Sequence, residues 1–238
     1  MKYILLLLLA IGLYGLYSWY RVIQVAKDAN LPVFTQPETV LGSGSELRYI
    51  AAGDSTAEGV GASSFEKSYT YRLAQHWAQT NSVSYKNVGI LGAQTNDILN
   101  KQLKDIIDFK PDVITLSIGA NDRTHLKSNS YILENYKSII KQITEQTSAT
   151  IYITDIPNFT NAKLLPKPFI YYMEQQTRKL NPEIKSLESD RVKIVNIHDF
   201  GWSTYPDLSI TFAADNFHPN DEGYNNWTNA FLDRIKNP

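Results

Sequence analysis

A few residues whose types and spacing could open an ester bond stand at turn-prone points far apart in the chain. Ser55 follows Gly53-Asp54, at the abrupt end of the apolar run Tyr49-Ile50-Ala51-Ala52. Open α/β sheets build sites this way, because ligands sit beyond the carboxyl ends of the strands. A serine hydroxyl is inert at neutral pH until a base takes its proton during attack. His218 is the candidate base, returning that proton to the leaving alcohol. Asp215 lies three residues before it, and on a tight turn its carboxylate could reach the far ring nitrogen and fix the tautomer. Gly92, closing Asn87-Val88-Gly89-Ile90-Leu91-Gly92, has no Cβ to keep a ligand away from its backbone. Asn121, in Gly119-Ala120-Asn121-Asp122, offers an uncharged amide donor. The Ser55 and Gly92 amides and the Asn121 side chain would then cradle a tetrahedral oxyanion. Alone, Gly-Asp-Ser reads better as a solvated turn; the later stretches change that reading.

Other candidates read as bystanders. Asp54, as neighbour of Ser55, should point away from the hydroxyl and brace its loop, and Asp122 should brace the loop after Asn121. His198-Asp199 is expected to be no working pair, since adjacent residues on an extended chain face opposite ways. His125 is placed near the site rim. Ser64-Phe65-Glu66-Lys67 matches Ser-x-x-Lys, but the companion Ser-Asp-Asn and Lys-Thr-Gly elements are missing. Gly-x-Ser-x-Gly is absent around Ser55. The chain has no cysteine, which excludes disulfides, thiolate metal sites and a cysteine nucleophile. Its 4 histidines are scattered without metal-ligand spacing. The scheme needs no metal and no other cofactor. A net charge of -1 gives no basic surplus of the kind that marks nucleic-acid binders.

The elements that must position these residues follow from periodicity. Strands are predicted at 48–53, 84–89, 113–118, 150–154 and 192–197. A helix over 67–79 carries Tyr69, Leu73 and Trp77 on one face. Another, capped by Thr95 or Asn96, carries Leu99, Leu103, Ile106 and Ile107. Ile132, Tyr136, Ile139, Ile140 and Ile143 mark a third. A fourth starts at Phe169, with a break or kink at Asn181-Pro182. The last, after Asn220, shows Tyr224, Trp227, Phe231 and Ile235. Strand and helix alternate, which predicts an α/β fold: a three-layer α/β/α sandwich on a five-stranded parallel sheet. The expected strand order is the flavodoxin-like 2-1-3-4-5. The loop 157–168, with Phe159, Leu164 and Leu165, either walls an acyl pocket or covers the core; the two readings weigh equally.

The four blocks around Ser55, Gly92, Asn121 and His218, in this order, resemble the SGNH (GDSL-type) ester hydrolases from about Arg48 to Ile235. The resemblance implies the same sheet order and a serine esterase. It implies Ser55, Asp215 and His218 as catalytic triad and Ser55, Gly92 and Asn121 as oxyanion hole. The substrate would be a small-molecule or lipid ester, handled in a lipase-like or lysophospholipase-like way. A cell-envelope polysaccharide O-acetylesterase or acyltransferase would use the same residues. A catalytically dead anchored binding protein is the reading from another class, and the complete residue set counts against it.

Residues 3–20 are apolar apart from Ser18, between Lys2 and Arg21. As a helix they would span about 27 Å, close to a hydrocarbon core of roughly 30 Å. Tyr17, Trp19 and Tyr20 cluster at one end, where interfacial aromatics belong. A cleaved signal peptide is the rival, but the apolar run continues past its best site at Ala10-Ile11-Gly12. The expected division is 1–21 membrane anchor or uncleaved signal, 22–46 linker, and 47–238 hydrolase domain. The linker reading rests on Pro32, Pro37 and Gly42-Ser43-Gly44-Ser45. By resemblance to anchored bacterial hydrolases, the catalytic domain is expected outside the cytoplasm; it is secreted if the segment is cleaved.

Overall fold

The computed structural model describes residues 2–32, 34, 38–160, 162–200 and 208–237. Pro37 of the expected linker and residues 201–207, ahead of Asp215, lie outside the described residues. The strands are β1 (Thr39–Gly42), β2 (Ser45–Gly53), β3 (Asn81–Asn87), β4 (Val113–Ser117), β5 (Thr150–Thr154) and β6 (Val192–Val195). They form one mostly parallel sheet in the order β1-β3-β2-β4-β5-β6. β2 pairs in parallel with β3 and β4, β4 with β5, and β5 with β6.

The sheet therefore has 6 strands, not the five expected, and its order begins with a strand the expected order lacks. β1 pairs antiparallel with β3, Thr39 opposite Tyr85 and Gly42 opposite Ser82. Its sequence, Thr-Val-Leu-Gly, lies inside the stretch expected as a linker. The Ser43-Gly44 turn sends the chain back into β2, so the Gly-Ser run is a tight reversal rather than a spacer.

Helices cover both faces: α1 (Lys2–Asp28), α2 (Ser55–Glu58), α3 (Tyr69–Trp77), α4 (Thr95–Asp97), α5 (Leu103–Phe109), α6 (Ala120–Thr124), α7 (Asn129–Gln146), α8 (Lys167–Lys185) and α9 (Asp221–Lys236). A π-helical turn, Ile98–Gln102, joins α4 to α5. Successive β2 side chains go to opposite faces. Ile50 and Ala52 join Ile106, Ile139, Met173 and Leu180 on one side. Tyr49 and Ala51 join Tyr69, Leu73, Tyr224 and Phe231 on the other. Burial on both sides explains why β2 and β4 read as near-continuous apolar runs. Each fully buried Ile, Leu, Met or Phe among them stabilises the fold by about 1.5–3 kcal/mol. Tyr136 of α7 is fully buried, and its hydroxyl donates to Ile118 O at 2.6 Å. That bond ties the exit of β4 to the helix layer, directly before Gly119-Ala120-Asn121.

α8 runs unbroken through Pro182, contrary to the expected break. Pro182 lies inside α8 near its C-terminal end, where its missing N–H and its ring act on the preceding turn. The Asn181 side chain holds that turn by bonding Ile156 N and Ile156 O, at 3.1 and 2.9 Å. α1 continues past the boundary expected at 21. Among the described residues no helix is long and apolar enough to cross a membrane, so an anchor is not shown. Trp19 of α1 meets Phe169 of α8 edge-on at 5.9 Å, and Val22 packs on the core.

Candidate active site

β2 ends at Gly53 because the backbone there takes φ +139°, and a Cβ would lie 2.0 Å from Ser117 O. The Gln102 side chain holds both polar groups of Gly53, accepting from its N–H at 2.9 Å and donating to its carbonyl at 2.8 Å. Asp54 then caps α2: its Oδ1 accepts from Thr56 N at 2.9 Å and Thr56 Oγ1 at 2.7 Å. The Asp54 side chain is thus committed to Thr56 rather than to Ser55, as expected, and burial pushes its carboxyl up to about 6. Ser55 is left as the first residue of the short helix, its Oγ directed at His218.

His218 is delivered by the entrance to α9. Asn220 caps that helix, accepting from Glu222 N and Gly223 N at 3.0 Å each. Asp215 and Asn216 form the preceding turn, Asn216 at φ +57°. Asp215 Oδ1 accepts from Phe217 N and His218 N, both at 3.0 Å. Its Oδ2 lies 2.5 Å from His218 Nδ1, and His218 Nε2 lies 2.8 Å from Ser55 Oγ. Burial works to raise the Asp215 carboxyl, but hydrogen bonding and charge from His218, with the two amides, hold it below the usual carboxylate range. An ionised Asp215 only accepts, so it fixes the proton of a neutral imidazole on Nδ1 and leaves Nε2 to accept from the Ser55 hydroxyl.

Of the expected oxyanion donors, Ser55 and Asn121 line one recess with His218. The Ser55 and Gly92 amides have no hydrogen-bond partner among the described residues. One of the two side-chain amide hydrogens of Asn121 goes to Ala93 O at 3.0 Å, leaving the other open. Asp122 braces the loop, as expected, accepting from Thr95 N at 2.9 Å and Thr95 Oγ1 at 2.7 Å. Gly92 is bound to this assembly through its neighbour Ala93, but it is exposed and is not among the residues walling the recess. Gly92 takes a positive φ of +75°, which favours glycine, and a Cβ there would meet no protein atom within 4 Å. His125 is exposed, with Nδ1 2.7 Å from Asn121 O, and does not wall the recess.

The recess has a volume of about 120 Å³. Phe159, Ala162, Phe212, Phe217 and Trp227 give it an apolar lining. The loop 157–168 divides its work: Phe159 and Ala162 wall the recess, while Leu165 is buried in the core. His198 also lines the recess, and its pairing differs from expectation. Its Nδ1 lies 2.6 Å from Asp199 Oδ1 and its Nε2 3.0 Å from Glu174 Oε1. The chain turns directly after β6, so the two neighbours are not on extended backbone and can meet.

Two ring nitrogens facing two carboxylates make His198 an imidazolium clamp between the end of β6 and α8. Arg178 supports Glu174 at 2.7 Å, Lys185 stands 3.3 Å from Asp155 and 3.6 Å from Asp199, and Asp155 accepts from the His198 backbone at 2.9 Å. Burial opposes the charged ring, but the bonds to Glu174 and Asp199 win and raise its pKa. Glu174 and Asp199 are lowered by the same contacts, against their own burial. The clamp's stability is thus complete below the unfolded histidine value of ~6.5 and is lost as pH rises through the folded value. On the acid side it is lost as pH falls below the unfolded carboxylate values. His198→Gln is expected to cost about 1.5–3 kcal/mol near pH 6 and less at pH 9, in urea unfolding. An equal loss at both pH values contradicts the ionic clamp.

Sequence reasoning missed Gln102 and Thr95 as supports of the site. A signal for Gln102 existed: it replaces an apolar residue between Ile98 and Ile106 on a helical stripe, and it is buried.

Residues 51–225 match the GDSL-like lipase/acylhydrolase family. A spore germination lipase, LipC, of Bacillus licheniformis is 27% identical over 201 residues, covering 75% of this chain and 91% of the relative. Among solved structures, the lipase Lip_vut3 from a goat rumen metagenome superposes with TM-score 0.63 at 21% identity, covering 79% of this chain and 97% of that one. A mutant of Axe2, an acetyl-xylooligosaccharide esterase from Geobacillus, gives TM-score 0.62 at 20% identity, covering 82% and 95%. The likeness to these structures is one of fold. With the family matched across both ends of the site, the chain belongs to the GDSL-like lipase/acylhydrolase family and is a serine hydrolase acting on ester bonds.

Proposed function

We propose that the protein hydrolyses carboxylic esters of medium-length acyl chains through Ser55, His218 and Asp215, with Ser55, Gly92 and Asn121 supplying the oxyanion donors. The observation that carries this reading is the unbroken series Ser55 Oγ, His218 Nε2, His218 Nδ1, Asp215 Oδ2, with links of 2.8 and 2.5 Å. Ser55 Oγ attacks the ester carbonyl as its proton passes to His218 Nε2. The carbonyl oxygen becomes an oxyanion facing the open amide donors. Collapse expels the alcohol, which takes the proton from His218. A water then repeats the sequence on the acyl-serine, releasing the acid and restoring Ser55.

The apolar recess supports an acyl group longer than acetyl, since apolar walls stabilise each buried methylene by about 0.8 kcal/mol. The acetyl-xylooligosaccharide esterase likeness keeps a glycan O-acetylesterase as the second reading. A panel of p-nitrophenyl esters of graded length, lysophospholipid and acetylated glycans, with Ser55→Ala as control, separates them. The first reading expects turnover to rise from acetate to medium chains; acetylated glycan as the single good substrate contradicts it. The apolar segment 3–20 supports a membrane anchor; its flanking cations are nearly balanced, so placement of the catalytic domain outside the cytoplasm rests on the resemblance to anchored bacterial hydrolases. Protection of the domain from added protease in intact spheroplasts contradicts that placement.

A further inference from the structure

A second groove, of about 390 Å³, opens between α6, α7 and α8. Arg123 and Lys127 line it, together with Ser128, Ser130, Tyr172 and Gln176, and no acidic residue does. Arg123 follows Asn121 by two residues on α6. At about 100° per residue the two side chains leave opposite sides of that helix, which separates the groove from the reactive recess.

Arg123 is 3% exposed, so its guanidinium is almost wholly out of water. One terminal nitrogen donates to Lys127 O at 3.3 Å and the other to Asn129 Oδ1 at 2.6 Å. Its Nε is buried with no hydrogen-bond partner. No carboxylate forms an ion pair with it among the described residues, and neighbouring Asp122 is committed to Thr95. The nearby Asp122 charge favours the guanidinium, but burial outweighs it and depresses the Arg123 pKa. Lys127 forms no ion pair among the described residues, and its Nζ lies 5.3 Å from the centre of the Tyr131 ring.

The N-terminus of α7, a helix of 18 residues, faces the same groove through Ser128, Asn129 and Ser130. Ser128 Oγ caps Tyr131 N at 3.2 Å. The Asn129 and Ser130 amides remain open, and they are the donors that helix starts offer to anions. Two cations that form no ion pair among the described residues and two open amides thus converge on one groove, with Asp122, held by Thr95, the nearby carboxylate whose charge acts on both.

We propose that this groove is an accessory site for a phosphate-type oxyanion, with Lys127, Ser130 and the first α7 amides in contact and Arg123 as the buried counter-charge behind them. Tyr172 and Leu126 flank it, 51% and 58% exposed, and give the site apolar margins. Tyr172 lies one helical turn beyond Phe169, against which Trp19 of α1 rests. The anion is therefore either a free phosphate or the phosphate of a lipid headgroup presented on the α1 side. The site is independent of the ester-hydrolase reading, because its test reads binding and not turnover.

The full chain in neutral detergent is titrated with inorganic phosphate and with sn-glycerol 3-phosphate, following heat of binding and thermal midpoint. A second arm measures co-sedimentation with phosphatidylglycerol vesicles. Lys127→Glu and Arg123→Gln are compared with Lys137→Glu, which makes the same charge change on the exposed, ion-paired part of α7. Saturable binding by wild type and by Lys137→Glu, weakened about tenfold or more by Lys127→Glu, supports the site. Binding of soluble phosphate assigns a free ligand, and binding of vesicles alone assigns a headgroup. No binding in either arm, or equal weakening by Lys127→Glu and Lys137→Glu, overturns it. If Arg123→Gln fails to fold, Lys127→Glu, on the surface, carries the test.

Discussion

Ser55→Ala, or His218→Ala, is expected to lower kcat by on the order of 10⁶ while leaving the unfolding midpoint nearly unchanged. On the proposed mechanism each side chain acts in the chemistry and little in the packing. Among the described residues the Ser55 hydroxyl bonds His218, and His218 in turn bonds Asp215. Removing either ends the proton transfer that makes the hydroxyl a nucleophile. The losses are not additive, because the residues work as a unit: the double variant should be about as poor as either single one. Asp215→Asn should cost about 10⁴, since an amide can present a donor to Nδ1 and leave the wrong tautomer facing Ser55. Activity within tenfold of wild type in purified Ser55→Ala would remove this assignment.

Asn121→Ala is expected to lower kcat by about 10²–10³ with KM within a few-fold. The substrate carbonyl is nearly neutral on binding, and its oxygen gains charge only in the transition state. A donor aimed there therefore stabilises the transition state more than the ground state. Asn121→Asp should be at least as poor, because a carboxylate offers no donor and repels the oxyanion. The Asn121 amide also donates to Ala93 O, so some loss of stability accompanies the substitution. Measuring kcat per folded molecule beside the thermal midpoint separates the two effects. A lowered midpoint with unchanged kcat per folded molecule would make Asn121 a loop tether only.

The parts of the site legible in the sequence are those fixed by local backbone. Ser55 sits where an apolar run meets Gly53-Asp54, Asn121 where another meets Gly119, and His218 ahead of a helix whose cap, Asn220, is local. Asp215 reaches His218 within one turn. The alternation of strands and helices gave the α/β layers for the same reason. What escaped depends on contacts between distant segments. Gln102 clamps Gly53 across 49 residues, and Thr95 donates to Asp122 across 27. β1 is 4 residues long and gains its partner only when β3 is present. The His198–Asp199 contact was misjudged because an extended strand was assumed beyond Val195, where the chain turns. Pro182 does not end α8, and the turn it sits in is held from outside by Asn181 bonding Ile156 across 25 residues. The positive φ of Gly92 is another feature that its sequence neighbours do not announce.

The most direct test of the central claim is covalent capture of the nucleophile. The folded protein is treated with a fluorophosphonate, digested and mapped by mass spectrometry. The geometry at Ser55 predicts a single adduct on the Ser55 peptide, formed in step with loss of esterase activity, and strongly slowed in His218→Ala. Esterase activity that survives in a folded sample with Ser55 unlabelled, or an adduct on another serine that tracks inactivation, would contradict it.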